Sequence, residues 1–346
     1  MTAPRIPVTV LGATGAVGQK LVRLLSDHPW FTLASLCASE RNVGRPYGEA
    51  VHWLESTPLP DAIGAMDLQR TKPGVAGVVA FSALDAEAAT TIEPWFAEKG
   101  YWVVTNTRTF RMEPDVPLLI PEVNAGQLGI LDRQRSVRSW AGGLVANPNC
   151  SAIVLASALA PLHAAFGVAR VFVSTIQAVS GAGYPGVASL DILGNVIPYI
   201  SGGEEAKIER ETAKILAAHF PVSAHVHRAP VVDGHSLAIS AGLRRVPGVD
   251  AVREALRTFR PPEEVRALPS APDPFLFVHD APDRPQPRLD AMLGGGMTVS
   301  VGRIRPCALL DVRMSALGHN TIRGAAGAAI LNAELLVARG FVERPA

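Results

Sequence analysis

The chain has 346 residues, of which 48% are apolar and 18% charged, and lysine plus arginine nearly balance aspartate plus glutamate, 32 against 31. This length suits two domains of ordinary size, and the composition is globular and excludes extensive disorder. The balanced charge excludes a general attraction to nucleic acid or to an anionic membrane, so anionic ligands must be held by local groups.

The first half of the chain alternates strand-like and helix-like segments. Residues 6–11 are almost continuously apolar, as in a strand buried on both faces of a parallel sheet, and residues 19–25 have a helical pattern. Further strands are predicted at 31–38, 75–82 and 102–106, with a helix at 86–99 between the last two. This succession predicts an α/β fold that begins with a Rossmann-type doubly wound domain.

A G-x-x-G-x-x-G turn at Gly12, Gly15 and Gly18 separates the first strand from the first helix. Glycines at such a turn let backbone N–H groups approach a pyrophosphate at the N-terminus of a helix. A purely structural tight turn is the alternative, but the order of strand, turn and helix favours nucleotide binding.

The loop after the second predicted strand bears on the choice of cofactor. Ser39 and Arg41 could grip a 2′-phosphate, whereas Glu40 could serve a ribose diol if it points inward. A solvated loop with incidental charge is an equally good interpretation of these residues alone. We favour NADP.

The segment Asn147-Pro148-Asn149-Cys150 places a thiol between a turn and a helical run at 151–162. The free N–H groups and the positive end of the dipole at a helix N-terminus favour a thiolate over a thiol. A small buried cysteine is the alternative. The three cysteines form no C-x-x-C pair and leave an odd thiol, so we expect neither a disulfide framework nor a structural zinc site. We also expect a reducing compartment.

The second half of the chain has longer predicted strands than the first half. Strands predicted at 169–177, 224–232, 236–243 and 298–314 indicate a second α+β domain with a mixed or antiparallel sheet. A helix is predicted at 204–219. The proline-rich stretch 261–287 is predicted to be an ordered surface segment. Residues 320–339 carry one continuous apolar face, which we expect to dock on the first domain. The predicted division is 1–149 for NADP binding, 150–318 for catalysis, substrate and dimerisation, and 319–346 for the returning C-terminal helix.

Histidines are clustered at His225, His227 and His235. On a strand the first two would share a face, but no nearby cysteine or glutamate gives zinc spacing, so no metal is expected. His235 follows Asp-Gly in a turn between strand-like runs and is the candidate acid/base, with a satisfied turn histidine as the alternative. The N-terminus lacks the apolar core of a signal peptide, and no segment is long enough for a membrane span, so we predict a cytoplasmic protein.

Seven segments in order resemble the aspartate-β-semialdehyde dehydrogenase family, particularly its archaeal and fungal branch, over nearly the whole chain. They are GATGAVG, RMEPDVPLLIPEVN, NPNCS, QAVSGAGYPG, NVIPYISGGEEAKIERETAKIL, HRAPVVDGHS and GHNTIRGAAGAAILNAELL. The resemblance implies NADPH-dependent reduction of L-aspartyl 4-phosphate to L-aspartate 4-semialdehyde and phosphate through a thioacyl enzyme, in the biosynthesis of lysine, threonine, methionine and isoleucine. It also implies a homodimer or homotetramer.

The resemblance implies a role for each site residue. Cys150 would attack the acyl phosphate, Gln177 orient the acyl group, His235 act as acid/base, and Asn149 with the backbone N–H of Cys150 stabilise the oxyanion. Arg228 would bind the α-carboxylate and Glu204 the α-ammonium, while Lys207 and Arg111 would meet the phosphate; by spacing alone, Glu204 and Lys207 could instead be an ordinary ion pair. The implied cofactor-binding residues are Gly12, Thr14, Gly15, Ala16, Val17, Ser39, Arg41, Ser82, Ser180, Gly181 and Asn320.

One departure from the family pattern and several rival functions stay open. Arg108 lies where the branch has a serine-containing stretch, so it could compete with Arg111 for phosphate. N-acetyl-γ-glutamyl-phosphate reductase shares the architecture, but its acetylated amine would not need Glu204. Malonyl-CoA reductase, which reduces a thioester, is a second rival, and a non-catalytic nucleotide-binding homologue is a third.

Overall fold

The computed structural model describes residues 4–345, which form two six-stranded β-sheets surrounded by helices. No helix in this span is both long and apolar enough to cross a membrane. The strands are β1 (Ile6–Leu11), β2 (Phe31–Ala38), β3 (Gln69–Arg70), β4 (Val79–Ser82), β5 (Trp102–Thr105), β6 (Gly143–Ala146), β7 (Val168–Gln177), β8 (Val222–Arg228), β9 (His235–Leu243), β10 (Leu276–Val278), β11 (Val299–Pro306) and β12 (Val312–Gly318). The α-helices are α1 (Ala16–Leu25), α2 (Tyr47–Ala50), α3 (Asp61–Gly64), α4 (Ala86–Glu98), α5 (Pro121–Asn124), α6 (Ile130–Arg138), α7 (Cys150–Phe166), α8 (Ser189–Ile192), α9 (Glu204–Ile215), α10 (Val249–Thr258), α11 (Glu263–Arg266), α12 (Pro287–Asp290) and α13 (Gly327–Ala338).

The first sheet is parallel throughout, in the order β3-β2-β1-β4-β5-β6. This is the order of a doubly wound fold, which leaves a crevice at the carboxyl ends of the strands where the strand order reverses. Strands β4, β5 and β6 are completely buried, as expected for apolar runs covered by helices on both faces. The predicted Rossmann-type domain is confirmed.

Strand β4 begins at Val79, later than the apolar run at 75–82 predicts. Gly77 has φ +138°, and a Cβ at this position would lie 3.0 Å from the backbone nitrogen of Thr9. The chain therefore passes close to β1 in a conformation that suits glycine, and pairing starts only after it.

The second sheet is mixed, in the order β10-β11-β12-β9-β7-β8, which confirms the predicted second domain class. The single strand predicted at 298–314 is wrong, because β11 and β12 form an antiparallel hairpin. The N–H of Cys307 bonds to the carbonyl of Asp311 at 3.3 Å across the turn. The strand predicted at 224–232 ends at Arg228, where the chain turns and the N–H of Val231 bonds to the carbonyl of Ala229.

Helix α7 lies deep in the molecule, with every residue from Ser151 to Leu162 buried. Its side chains belong to a hydrophobic cluster that joins one face of the first sheet to the second sheet. Cys150 is the first residue of this helix. The helix therefore fixes the thiol at the place where the two sheets meet.

The C-terminal segment starts with a π-helical turn, Ile322–Ala326, and continues as α13. Both pack with α1 in a second hydrophobic cluster on the first sheet. Arg323 is completely buried and makes a two-point ion pair with Glu122, at 2.6 and 2.8 Å. The C-terminal segment therefore packs against the first sheet.

Candidate active site

A cavity of about 500 Å³ extends from the start of α1 to the start of α7. It lies at the carboxyl ends of the first sheet's strands, the side on which doubly wound folds bind ligands. Twelve of the residues predicted for the site line it: Ala16, Val17, Arg111, Asn149, Cys150, Gln177, Ser180, Gly181, Glu204, Lys207, Arg228 and Asn320. Residues from seven separate stretches of the sequence therefore meet around one space.

Asn149 caps the helix that begins with Cys150. Its Oδ1 accepts the N–H groups of Ser151 at 2.9 Å and Ala152 at 3.1 Å. Among the described residues the N–H of Cys150 has no acceptor, so it is free to face a developing oxyanion. Gly324 of the π-helical turn packs on Cys150, since a Cβ on this glycine would lie 2.5 Å from the Cβ of Cys150.

The surroundings of Cys150 disfavour the ionised form of its thiol. Burial and the nearby Glu204 carboxylate raise its pKa to about 12, whereas Arg111, Arg228 and the backbone N–H of Ser151 lower it. The helix terminus thus lowers the pKa, as expected from the sequence, but desolvation outweighs it. Cys150 keeps some exposure to the cavity, so water there reduces the effect of burial.

Glu204 connects three polar side chains beneath the cavity. Its Oε1 accepts from Asn149 Nδ2 at 2.8 Å and from Gln177 Nε2 at 3.3 Å, and its Oε2 pairs with Lys207 Nζ at 3.2 Å. Glu204 is only 6% exposed. It is therefore part of the site and more than the ordinary surface ion pair that its spacing to Lys207 allowed.

Arg228 and His235 converge on Gly181. A Cβ on this glycine would lie 2.8 Å from Arg228 Nη1 and 3.2 Å from His235 Nε2. Arg228 Nη1 also donates to the carbonyl of Ala178 at 2.6 Å. Arg228 lines the cavity, whereas His235 is packed behind Gly181 and does not line it.

His235 lies completely buried behind Gly181 rather than in the exposed turn that the sequence suggested. Its Nδ1 accepts the N–H of Ala178 at 3.1 Å, so in the neutral ring the proton is on Nε2. Nε2 is buried without a partner among residues 4–345. Burial, Arg228 and His319 lower the pKa of His235 to about 3, which keeps the ring neutral at physiological pH.

Arg111 and Arg108 occupy different depths of the cavity. Arg111 is buried and donates to Glu211 Oε1 at 3.1 Å and to the carbonyl of Asn106 at 2.7 Å. Arg108 is exposed and donates to the carbonyl of Gly202 at 3.2 Å. Glu211 was not predicted from the sequence, although it lies seven residues after Glu204, on the same helical face.

The glycine turn folds tightly between β1 and α1. Gly12 has φ +79°, and a Cβ there would lie 2.6 Å from the carbonyl oxygen of Ala83. At Gly18 a Cβ would lie 2.2 Å from the carbonyl of Gly12, whereas at Gly15 it would be in ordinary contact. The glycines therefore serve to fold the turn tightly against β4 and α1, with Ala16 and Val17 facing the cavity.

Thr14, which was also predicted to bind the cofactor, lies within this turn. Its backbone carbonyl accepts a hydrogen bond from the side-chain amide of Gln19 at 2.9 Å.

The remaining predicted cofactor residues lie apart from this cavity or support it. Ser39 and Arg41 are on the exposed loop after β2, where Glu40 pairs with Arg70 at 2.8 Å. Ser82 is completely buried and donates to Glu93 at 2.6 Å, so its hydroxyl does not face the cavity. Asn320 donates to the Ser180 hydroxyl at 2.8 Å and holds that hydroxyl at the cavity wall.

The two histidines weighed as metal ligands lie on β8. His225 packs against Phe172, and His227 Nδ1 lies 3.4 Å from the Ser174 hydroxyl. Within residues 4–345, no group of three or more histidine, cysteine, aspartate or glutamate side chains has an arrangement suited to a metal ion.

Two family models match the chain. Residues 7–130 match the NAD binding domain of semialdehyde dehydrogenase, and residues 159–323 match its dimerisation domain. Among similar proteins, the aspartate-semialdehyde dehydrogenase of Methanothermobacter thermautotrophicus is 48% identical over 344 residues, covering 96% of this chain and 99% of its own. That of Saccharomyces cerevisiae is 41% identical, with coverage of 96% and 98%.

Solved structures agree with these relatives. The crystal structure of aspartate semialdehyde dehydrogenase with NADP from Candida albicans superimposes with a TM-score of 0.90 at 40% identity, covering 97% of this chain and all of the other. The Vibrio cholerae aspartate semialdehyde dehydrogenase II complexed with ASA gives 0.79 at 26% identity, with coverage of 98% and 100%.

Proposed function

The chain belongs to the aspartate-semialdehyde dehydrogenase family, and from its site we propose that it reduces L-aspartyl 4-phosphate to L-aspartate 4-semialdehyde and phosphate with NADPH. The observation that carries this proposal is the single cavity that joins the glycine-turn helix to Cys150 and to side chains able to pair with each charge of the substrate. The product belongs to the biosynthesis of lysine, threonine, methionine and isoleucine.

The residues at the start of α1 fit a dinucleotide. The tight turn at Gly12 and Gly18 brings the chain against α1 without intervening side chains, and Ala16 and Val17 open onto the cavity. Bound NADPH supplies the hydride that reduces the thioester. Ser39 and Arg41 are proposed to hold the 2′-phosphate, and the pairing of Glu40 with Arg70 supports this by partly neutralising the acidic side chain that could serve a ribose diol.

Cys150 is proposed to attack the acyl carbon of the substrate. The carbon–sulfur bond forms as the bond to the phosphate oxygen breaks, and phosphate leaves with the electron pair. Because the Cys150 thiol holds its proton before substrate binds, that proton must leave during the attack. We propose that the departing phosphate takes it and leaves as hydrogen phosphate, while the positive charges of Arg111 and Arg228 favour the loss of the proton from sulfur. The free N–H of Cys150 and the remaining amide hydrogen of Asn149 are proposed to stabilise the oxyanion, and the absence of an acceptor for either donor among the described residues supports this.

His235 is proposed to stabilise the reacting oxygen by hydrogen bonding. While Nδ1 accepts the Ala178 N–H, Nε2 carries the proton of the neutral ring and would donate a hydrogen bond to the oxygen that becomes the aldehyde. In this state the ring has no free lone pair to take the proton of the thiol. The proposed role is therefore narrower than the acid/base role inferred from the sequence.

The charges around Cys150 are proposed to select the substrate. Arg228 would read the α-carboxylate, and Glu204 would hold the α-ammonium. Lys207 and Arg111 would bind the phosphate inside the cavity, with Arg108 at its mouth. The buried Nε of Arg111 has no partner among the described residues, and a phosphate oxygen would satisfy it. The buried carboxylate of Glu204 favours a free amine over an acetylated one.

We also propose the division 1–149, 150–318 and 319–346, a homodimer or homotetramer, and a cytoplasmic location. The grouping of the parallel strands before residue 150 and of the mixed sheet after it supports the division. The match of residues 159–323 to a dimerisation domain supports self-association. Three free cysteines fit a reducing compartment.

The test is phosphate-dependent oxidation of aspartate semialdehyde, followed by the absorbance of the NADPH formed. The unmodified protein should require phosphate, whereas coenzyme A in its place would indicate the thioester reductase and preference for the N-acetylated five-carbon semialdehyde would indicate the acetylated-amine reductase. Cys150→Ala should abolish turnover and still bind NADP, with Cys37→Ala and Cys307→Ala as active controls. If Cys150→Ala kept a tenth of the activity, the covalent mechanism would be wrong, since loss of a nucleophile costs several powers of ten.

A further inference from the structure

Helix α9 holds the residue before the nucleophile at two points. Glu204 and Glu211 are about two turns apart on one face of this helix, and both are buried. Glu204 binds the side-chain amide of Asn149, and Glu211 Oε2 accepts the backbone N–H of the same residue at 2.6 Å. The peptide that leads into Cys150 is therefore fixed by a charged acceptor on each side.

The second oxygen of Glu211 is also engaged. Its Oε1 accepts Arg111 Nη1 at 3.1 Å, and the carboxylate is only 2% exposed. Hydrogen bonds to a charged acceptor are stronger than neutral ones, and breaking a buried charged contact leaves a partner unpaired. Glu211 thus connects two groups that come from opposite sides of the cavity, the guanidinium before β6 and the turn before α7.

Arg111 keeps donors for a ligand in this arrangement. A guanidinium has five N–H groups, and Arg111 commits one to Glu211 and one to the carbonyl of Asn106. Its Nε is buried without a partner in the described part of the chain, and the side chain lines the cavity. Glu211 therefore orients the guanidinium from behind and leaves its other donors for an anion.

We propose that Glu211 is a positioning residue that sets the distance and angle between the phosphate-binding Arg111 and the nucleophile Cys150. This inference rests on the roles proposed above for those two residues. Glu211 acts through them, because its own carboxylate faces Arg111 and Asn149 and does not line the main cavity around Cys150.

Glu211→Gln tests this directly. The amide has one acceptor oxygen and turns an NH₂ group toward the other donor, so it can keep only one of the two contacts. In phosphate-dependent oxidation we expect the KM for phosphate to rise about ten- to a hundredfold and kcat to fall, with the KM for aspartate semialdehyde changed by no more than about threefold. Glu205→Gln removes the same charge from an exposed site on the same helix and should match the unmodified protein.

A second variant and a melting measurement separate positioning from simple stability. Glu211→Asp keeps the charge but is one methylene shorter, so it should recover one contact and give a phosphate KM between those of the unmodified protein and Glu211→Gln. Loss of folded molecules alone would lower kcat per total protein and leave the phosphate KM unchanged. The proposal is overturned if Glu211→Gln has the phosphate KM of Glu205→Gln, or if neither Glu211 variant yields a folded protein.

The same experiment distinguishes failure of the proposed function. If the unmodified protein and Glu205→Gln show no phosphate-dependent oxidation at all, the substrate assignment has failed, whatever Glu211 does. If both are active and only the Glu211 variants fail to change the phosphate KM, the reaction stands and the positioning role is lost.

Discussion

Cys150 combines a favourable place in the helix with an unfavourable environment for charge. The N-terminus of α7 and two arginines favour its thiolate, yet burial and Glu204 prevail and keep the pKa at about 12. An enzyme can use such a residue if substrate binding delivers the missing stabilisation, because the reactive form then appears only in the occupied site. The free protein should accordingly be slow to react with alkylating agents.

The first prediction concerns this thiol. Alkylation of Cys150 by iodoacetamide in the free protein should be slow at pH 7 and still rising above pH 9, because only the thiolate reacts. Glu204→Gln removes a charge that raises the pKa, so its rate profile should shift to lower pH, while Glu205→Gln should not shift it. The rate is followed by mass spectrometry of the Cys150 peptide, since Cys307 is also partly exposed. A midpoint below pH 7 in the unmodified protein would contradict the prediction.

The second prediction separates binding from chemistry at Arg228 and His235. Arg228→Lys keeps the charge but cannot hold Ala178 and present a planar two-donor fork at once, so the KM for aspartate semialdehyde should rise strongly with NADP affinity unchanged. His235→Asn should lower kcat by roughly a hundredfold with a modest change in KM, because loss of one well-placed hydrogen-bond donor to a developing oxyanion costs about that much. Steady-state kinetics of both variants, with thermal melting as a check on folding, decide the matter. The reverse pattern would require the two roles to be exchanged.

At the scale of elements, the loops at the ends of the parallel strands separate the tasks of the site. The loop after β1 makes the glycine turn, the loop after β2 carries Ser39 and Arg41, and the segments after β5 and β6 supply Arg111 and Cys150. Different loops can supply different residues of one site because the carboxyl ends of neighbouring parallel strands lie at the same edge of the sheet.

The third prediction belongs to the loop after β2. Arg41→Ala should erode the preference for NADPH over NADH about ten- to a hundredfold, mainly through the KM of NADPH, because a charge-assisted contact to the 2′-phosphate is worth roughly 1.5 to 3 kcal/mol. Arg45→Ala is the control, since its guanidinium is engaged by the carbonyl of Glu49. Equal use of both cofactors by the unmodified protein would sink the assignment.

At the scale of the whole molecule, the C-terminal segment closes the structure around the site. The π-helical turn places Gly324 against Cys150, while the next residues pack with α1. Arg323 anchors this turn to Glu122 of α5 in the protein interior, and its guanidinium lies 5.1 Å from the ring centre of Phe275. The buried Arg323–Glu122 pair thus connects the first sheet domain, the proline-rich stretch 261–287 and the wall of the cavity.

The fourth prediction tests this anchor. Arg323→Met leaves Glu122 as an unpaired buried charge and should lower the free energy of unfolding by about 3 to 5 kcal/mol, whereas the double variant with Glu122→Gln should recover part of that loss. Arg339→Met breaks an exposed pair with Glu264 and should cost less than about 1 kcal/mol. Urea denaturation of the four proteins measures the differences. Equal losses for Arg323→Met and Arg339→Met would show that the buried pair is not an anchor.

The sequence by itself determined the features that depend on neighbours along the chain. Strand, glycine turn and helix at the N-terminus, the position of Cys150 at a helix start, and β2 at residues 31–38 all follow from local periodicity and turn residues. The family resemblance added the roles of residues far apart in sequence. The local pattern of residues 298–314 predicted one strand where the structure has two. Residues 307–311 reverse the chain within a run that is otherwise typical of a strand, and only the pairing of β11 with β12 reveals the hairpin.

Only the tertiary structure decided the charge states and the contacts across the cavity. The burial that raises the pKa of Cys150, the Ala178 N–H that fixes the proton of His235 on Nε2, and the reach of Glu211 from Arg111 to Asn149 each depend on groups separated by tens of residues. Desolvation and hydrogen-bond geometry are properties of the space around a group, and that space is enclosed by elements that no local pattern brings together. The sequence determines which chemical groups this site contains. The packing determines the protonation state and the hydrogen-bond partners of each group.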